Sequence, residues 1–172
     1  LYDLRQKRVL RFQHSKIVKL AVEYGAKLQY QVEKNPETGL FNNVTPIPFR
    51  ADSEQVAMAL TALGNLQAKA FVSDAADEAT LKTYGFDNPK FRSTITDDGG
   101  TTTTVLYATV GPKESEKEYA MIEGSPVIAR ITVFGTFQRV AVDLKTLRDK
   151  KAIGFRRNLV SRIELHSEKE VV

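Results

Sequence analysis

The chain has 172 residues, which is enough for one domain with a sizeable hydrophobic core but too few for two ordinary domains, so we expect a single domain over residues 1–172. Hydrophobic residues make up 42% of the chain, charged residues make up 27%, and the formal net charge is +4, which together are typical of a folded protein rather than a disordered one. The absence of cysteine excludes disulfides, thiolate nucleophiles and cysteine-based metal sites, and the longest apolar stretch, residues 56–63, is far short of the roughly 20 residues of a membrane-spanning helix.

Residues 16–50 contain a hairpin pattern followed by an extended stretch. Residues 16–22 and 27–32 are apolar runs with alternating positions, and Gly25 between them favours a turn, so they predict an antiparallel hairpin. Residues 42–50 contain two prolines, which disfavour helix. We therefore expect a long crossing loop over these residues.

Two helices are predicted in the next segment. Asp52 followed by Gln55 resembles a capping box, and apolar residues then recur on one helical face up to Gly64. A second, short helix is predicted over residues 77–84, because Gly85 follows it as a stop signal.

From residue 91 onwards the pattern is mainly that of strands. Threonine-rich, β-branched or alternating runs predict four of them, at 91–96, 101–110, 118–122 and 127–134. A last helix is predicted to begin at Thr136 and to bury Val140, Leu144 and Leu147. The predicted fold class is α+β, a largely antiparallel sheet packed by two to three helices.

The first 22 residues recur near the end of the chain. Residues 1–22 align without a gap with residues 144–165, and the apolar positions keep their register. The identical pairs are Leu1/Leu144, Leu4/Leu147, Arg5/Arg148, Lys7/Lys150 and Phe12/Phe155. We interpret each copy as a helix end, a core-filling bend and a strand, and we expect the second copy to open the next unit of a tandem array. A common connection that is used twice by accident is the alternative.

Positive charge is concentrated in these two segments. Residues 1–22 hold six Lys and Arg against one acidic residue, residues 147–172 hold seven against four, and the middle of the chain is net acidic. The candidate patch for an anionic partner consists of Arg5, Lys7, Arg8, Arg11, Lys150, Lys151, Arg156 and Arg157. A nucleic-acid backbone or an anionic membrane surface could bind there. A solvated junction that pairs with the acidic middle of a neighbouring repeat is the simpler interpretation.

The remaining polar features do not form a site that sequence spacing alone can identify. His14 and His166 lack neighbouring ligand patterns, so we interpret them as surface histidines. The alternating Glu114, Glu116 and Glu118 are interpreted as a solvated strand entrance, and Asp97-Asp98 as a hairpin turn. Common hydrolase and nucleotide-binding motifs are missing, and we predict no catalytic residue, no metal ligand and no cofactor.

Several short elements, taken together and in order, resemble the bacterial domain-of-unknown-function family DUF4340. They are the Ala51-Asp52 helix start, the run Tyr84 to Pro89, a strand that ends in Gly111, Tyr119-Ala120, Leu147 to Lys150, Phe155, and Val160 to Leu165. The chain departs from the family's pattern at Phe41, where a tryptophan would be expected.

The resemblance implies an extracytoplasmic domain, usually in tandem copies, that follows an N-terminal membrane anchor, and it carries over no catalytic residue. Because the sequence begins at Leu1 without a methionine or a signal peptide, we expect such an anchor to have been removed with the rest of a longer protein. The family's genes often lie beside genes for ABC-type transport and gliding-motility auxiliary proteins. We therefore expect a non-enzymatic interaction or scaffold domain whose partners are an envelope protein and the neighbouring repeat. A nucleic-acid or anionic-surface binding module is the alternative.

Overall fold

Nine strands form one antiparallel sheet in the order β4-β3-β2-β1-β6-β7-β8-β9-β5. The structure is a computed structural model and describes residues 6–112, 116–131, 139–151, 161–162 and 164. The strands are β1 (Ile17–Tyr24), β2 (Lys27–Lys34), β3 (Phe41–Thr45), β4 (Phe49–Arg50), β5 (Ala68–Ser73), β6 (Phe91–Asp97), β7 (Thr102–Val110), β8 (Lys117–Ile122) and β9 (Ile128–Ile131). The helices are α1 (Ser53–Gly64), α2 (Glu78–Thr83) and α3 (Leu144–Leu147), and a short 3-10 helix covers His14–Lys16.

Helix α1 forms because its N-terminus is capped and one of its faces is apolar. The Asp52 carboxylate accepts hydrogen bonds from the Glu54 and Gln55 N–H groups at 2.8 and 3.3 Å, as the capping pattern predicts. Five of its twelve residues are buried: Val56, Ala59, Leu60, Ala62 and Leu63. This helix belongs to the main hydrophobic core, together with residues from one face of the sheet.

The sheet curls around α1. In a flat nine-stranded sheet the outer strands would lie about 38 Å apart, since neighbouring strands are about 4.8 Å apart. Helix α1 connects these two outer strands, β4 and β5, but its own length is only about 18 Å. The chain turns back directly after it, where the Leu66 N–H bonds to the Leu63 carbonyl. The inner face of the sheet is therefore concave and encloses the helix.

The outer face of the sheet has an apolar half and a polar half. On β7, β8 and β9, a second buried cluster contains Leu106, Tyr119, Met121 and Ile128, and it is covered by α2 and the residues next to it. On the other strands, the side chains that alternate with the core residues are half-exposed and mainly polar. Half of the outer face thus has no helix over it in the part of the chain that the structure describes.

The predicted fold class, a largely antiparallel sheet packed by two to three helices, is wrong because it overestimates the helices. One nine-stranded antiparallel sheet dominates the described fold, and the three helices are short, with twelve, six and four residues. The last predicted helix is interrupted, because residues 141–143 are not helical and separate the helical residues 139–140 from α3, which begins after Asp143. The predicted start at Thr136 lies outside the described residues.

Residues 42–50 also differ from the prediction, because they form the β3–β4 hairpin rather than a crossing loop. The two prolines lie in or next to its turn, where they interrupt no ladder hydrogen bond. Strand β5 has no counterpart among the predicted elements. The β1–β2 hairpin, the helices α1 and α2, and the strands β6, β7 and β8 lie where the sequence predicts them.

Candidate interaction surfaces

The N-terminal basic segment is fixed to the residues that follow α1. The Val9 N–H bonds to the Leu66 carbonyl at 3.0 Å, and the Ala68 N–H bonds to the Lys7 carbonyl at 2.7 Å, so Arg8 lies opposite Gln67 in an antiparallel bridge. Leu10 is buried in the main core. The exposed side chains of Lys7, Arg8 and Arg11 are therefore held near the C-terminal end of α1.

Residues 147–151, the described beginning of the C-terminal basic segment, are fixed to the residues that precede α1. The Asp52 N–H bonds to the Leu147 carbonyl at 2.8 Å, and the Asp149 N–H bonds to the Arg50 carbonyl at 3.0 Å. The Arg50 side chain adds an ion pair, since its Nε lies 2.8 Å from Asp149 Oδ2. The Leu147 side chain is buried in the main core. Backbone hydrogen bonds, an ion pair and apolar packing therefore all hold residues 147–151 to the rest of the domain.

Local hydrogen bonding also shifts the pKa of Asp149. Its carboxylate accepts from the Lys151 N–H at 2.9 Å, and the positive charge of Arg50 lies next to it. Both interactions favour the charged carboxylate, so the pKa of Asp149 lies below its ordinary value.

The structure separates the predicted patch into two groups. Lys7, Arg8 and Arg11 lie near one end of α1, and Lys150 and Lys151 near the other, and the helix between them is about 18 Å long. Arg5, Arg156 and Arg157 lie outside the described residues, as do Phe155 and most of the second repeat copy. The repeat and the binding of an anionic partner by these residues stay predictions.

A cleft of about 530 Å³ lies beside the C-terminal end of α1. Its walls come from the segment Arg8 to His14 and from Gly64 and Asn65. The rings of Phe12 and His14 stack at 5.0 Å between centroids with 19° between their planes. Because Gly64 has no side chain, the His14 ring can lie directly against the helix end; a Cβ at Gly64 would meet His14 Nε2 at 3.0 Å.

The polar half of the outer face is a cross-strand array on β2, β1, β6 and the threonine-rich start of β7, beside the apolar half. Lys19 pairs with Glu33 at 3.3 Å, and Arg92 with Glu123 at 3.2 Å. The threonine hydroxyls of Thr94 and Thr104 lie 3.1 Å apart, as do those of Thr96 and Thr102. These contacts link the side chains of neighbouring strands across the face. The sequence indicates this face, because its residues occupy the polar positions of strands in which polar and apolar residues alternate.

Two buried tyrosine hydroxyl groups make polar contacts within the core. The Tyr30 hydroxyl donates to the Val140 carbonyl at 2.7 Å, which joins β2 to a residue 110 positions away. Burial raises the pKa of Tyr30, and it raises that of Tyr107, whose hydroxyl interacts with Ser93. These groups serve the fold and lie away from the surface.

The other polar features of the sequence have structural roles where they are described. Asp97 Oδ1 accepts from the Gly99 and Thr101 N–H groups, which stabilises the β6–β7 turn. Glu116 pairs with Lys90 at 3.8 Å. Glu114 and His166 lie outside the described residues. The part of the chain that the structure describes contains no group of three or more histidine or acidic side chains that could hold a metal ion.

The described residues form a sheet domain in which the cleft and the polar half of the outer face are candidate binding surfaces. Residues 42–172 match the family described as Domain of unknown function (DUF4340), so the chain belongs to this family. No curated protein and no solved structure matches the chain. Of the helices that the structure describes, none is long and apolar enough to cross a membrane.

Proposed function

We propose that this DUF4340 domain is a non-enzymatic interaction domain that binds a protein partner in the cell envelope through the polar half of its outer sheet face. The binding would take place outside the cytoplasm, with the domain as an accessory to an ABC-type transport system. The cross-strand array on β2, β1, β6 and β7 is the observation that carries the proposal.

The size and order of this face suit a protein partner. The three strands β2, β1 and β6, about 4.8 Å apart and about 26 Å long, cover roughly 370 Å² in projection, about half of the ~800 Å² that each partner contributes to a standard interface. Ion pairs and threonine pairs already place side chains of neighbouring strands in contact, so part of the side-chain ordering that a partner would require is in place.

An arrangement of such units in a row is part of the proposal, and it rests on the recurrence of residues 1–22 at residues 144–165. The extracytoplasmic location and the link to transport rest on the family resemblance alone.

A matched pair of variants tests the proposal. Thr94→Arg places a large charged side chain in the middle of the polar face, whereas Thr61→Arg makes the same change at an exposed position of α1. The tagged 172-residue protein and both variants would be used to capture partners from solubilised membranes of the bacterium that encodes it, after circular dichroism has shown that all three are folded.

We expect the unchanged protein and Thr61→Arg to recover a component of an ABC-type transporter. We expect Thr94→Arg to recover at least about tenfold less, which corresponds to a loss of roughly 1.4 kcal/mol in binding. If no transporter component is recovered, or if the two variants recover it equally, the proposal is wrong.

A further inference from the structure

The cleft beside α1 is lined by donors and cations. Its polar side chains are Arg8, Arg11, Gln13, His14 and Asn65, and among the described residues that line it there is no aspartate or glutamate. The chain as a whole has 21 acidic residues, so this composition is not a consequence of a shortage of acids.

The two arginines have no carboxylate partner in the described part of the chain. The ion pairs found there involve Lys19, Arg50, Lys90, Arg92 and Arg162. Arg8 is held by its backbone bridge to Gln67, and its exposed side chain lines the cleft. A guanidinium group presents a planar set of donors that matches both carboxylate and phosphate oxygens.

The end of α1 opposes an anion only weakly. A helix C-terminus carries roughly half a negative charge, whereas the two arginines carry two full positive charges. In addition, the Thr61 and Leu63 carbonyls already accept from the Asn65 and Leu66 N–H groups. The net field in the cleft therefore favours a negative ligand.

The cleft also has apolar surface. Leu10 and Phe12 line it, and the stacked rings of Phe12 and His14 lie against the helix end at Gly64. An inorganic ion would leave this surface in contact with water, whereas an organic anion with a small aromatic or apolar body would cover it.

We propose that this cleft binds a small organic anion, whose carboxylate or phosphate group contacts Arg8 and Arg11 and whose apolar body lies on Phe12 and His14. The site is separate from the polar face of the outer sheet, so its occupancy does not depend on the protein partner proposed above.

Calorimetric titration of the 172-residue protein tests this inference. The probes are benzoate and phenyl phosphate, which differ in the anionic group, inorganic phosphate, which lacks the ring, and benzyl alcohol, which lacks the charge. We expect one saturable site for at least one aromatic anion, with binding at least about tenfold tighter than that of inorganic phosphate or benzyl alcohol. The tighter of benzoate and phenyl phosphate identifies the anionic group that the site prefers.

Two charge variants locate the site. Arg11→Gln should weaken binding of the aromatic anion about tenfold or more, whereas Arg130→Gln, which removes the same charge from an exposed position on β9, should change it less than about twofold. Gly64→Ala should also weaken binding, because the added Cβ displaces His14. Absence of saturable binding by both aromatic anions, equal binding of inorganic phosphate, or equal losses in Arg11→Gln and Arg130→Gln would overturn the inference.

Discussion

Leu147→Ala tests whether the C-terminal segment belongs to the core of this domain. Leu147 is 1% exposed and lies in the main core with residues of the sheet and of α1. Replacing a buried leucine with alanine removes apolar contacts and leaves a cavity, so we expect the free energy of unfolding to fall by about 2–5 kcal/mol. For a domain of this size, 1 kcal/mol corresponds to roughly 2–4 °C, so the melting temperature should fall by about 5–15 °C.

The assay is thermal and urea unfolding followed by circular dichroism. Leu40→Ala is the matched control, because Leu40 is 41% exposed and the same change should alter stability by less than about 0.5 kcal/mol. A loss below about 1 kcal/mol for Leu147→Ala, or equal losses for the two variants, would refute the reasoning. The segment from Leu147 onwards would then belong to a following unit rather than to this one.

Three further predictions concern hydrogen bonds and charge. Tyr30→Phe leaves the Val140 carbonyl without its donor and should cost about 1–2 kcal/mol in urea unfolding, whereas Tyr24→Phe, at an exposed position, should change nothing. Asp52→Ala removes the N-cap of α1 and should cost about 1 kcal/mol in the same assay; an unchanged midpoint would contradict it. Because the folded-state pKa of Asp149 is lowered, its contribution to stability is present above the ordinary pKa near ~4 and is lost as pH falls through the lowered value. Asp149→Asn should therefore flatten the fall in melting temperature between about pH 5 and pH 2, and parallel curves would contradict this.

Local patterns in the sequence were enough to predict most of the individual elements. Alternation and a glycine turn identify the β1–β2 hairpin, and Gly25 takes up the positive φ of 58° that such a turn requires. The Asp52 cap and the apolar face identify α1, because both signals lie within a few residues of each other. These elements are set by short-range chemistry.

The missed elements depend on contacts between distant residues. Strand β5 is short and carries Lys69, and it becomes a strand because α1 brings it to the edge of the sheet beside β9. The β3–β4 hairpin extends the sheet because β3 pairs with β2, where Asn43 lies opposite Val32. Neither tertiary contact can be read from composition or periodicity.

For the candidate sites, too, the sequence predicts local features but not the contacts between distant residues. The sequence identified Arg8 and Arg11 by charge, but not Phe12, His14 and Asn65 as their neighbours, because the cleft exists only after the segment has paired with the residues that follow α1. It also grouped Lys150 and Lys151 with the N-terminal cations, although α1 lies between the two groups. Charge is visible in a sequence, whereas the distance between charges depends on the fold.

Site-specific photocrosslinking in the living bacterium tests the proposed role of the polar outer face most directly. A photoreactive phenylalanine derivative would replace Thr96 on the polar face or Thr61 on α1, and the crosslinked products would be identified by mass spectrometry. We predict that the probe at Thr96 crosslinks to a component of an ABC-type transporter and that the probe at Thr61 does not. Crosslinking to that component from Thr61 alone, or from neither position, would contradict the proposal.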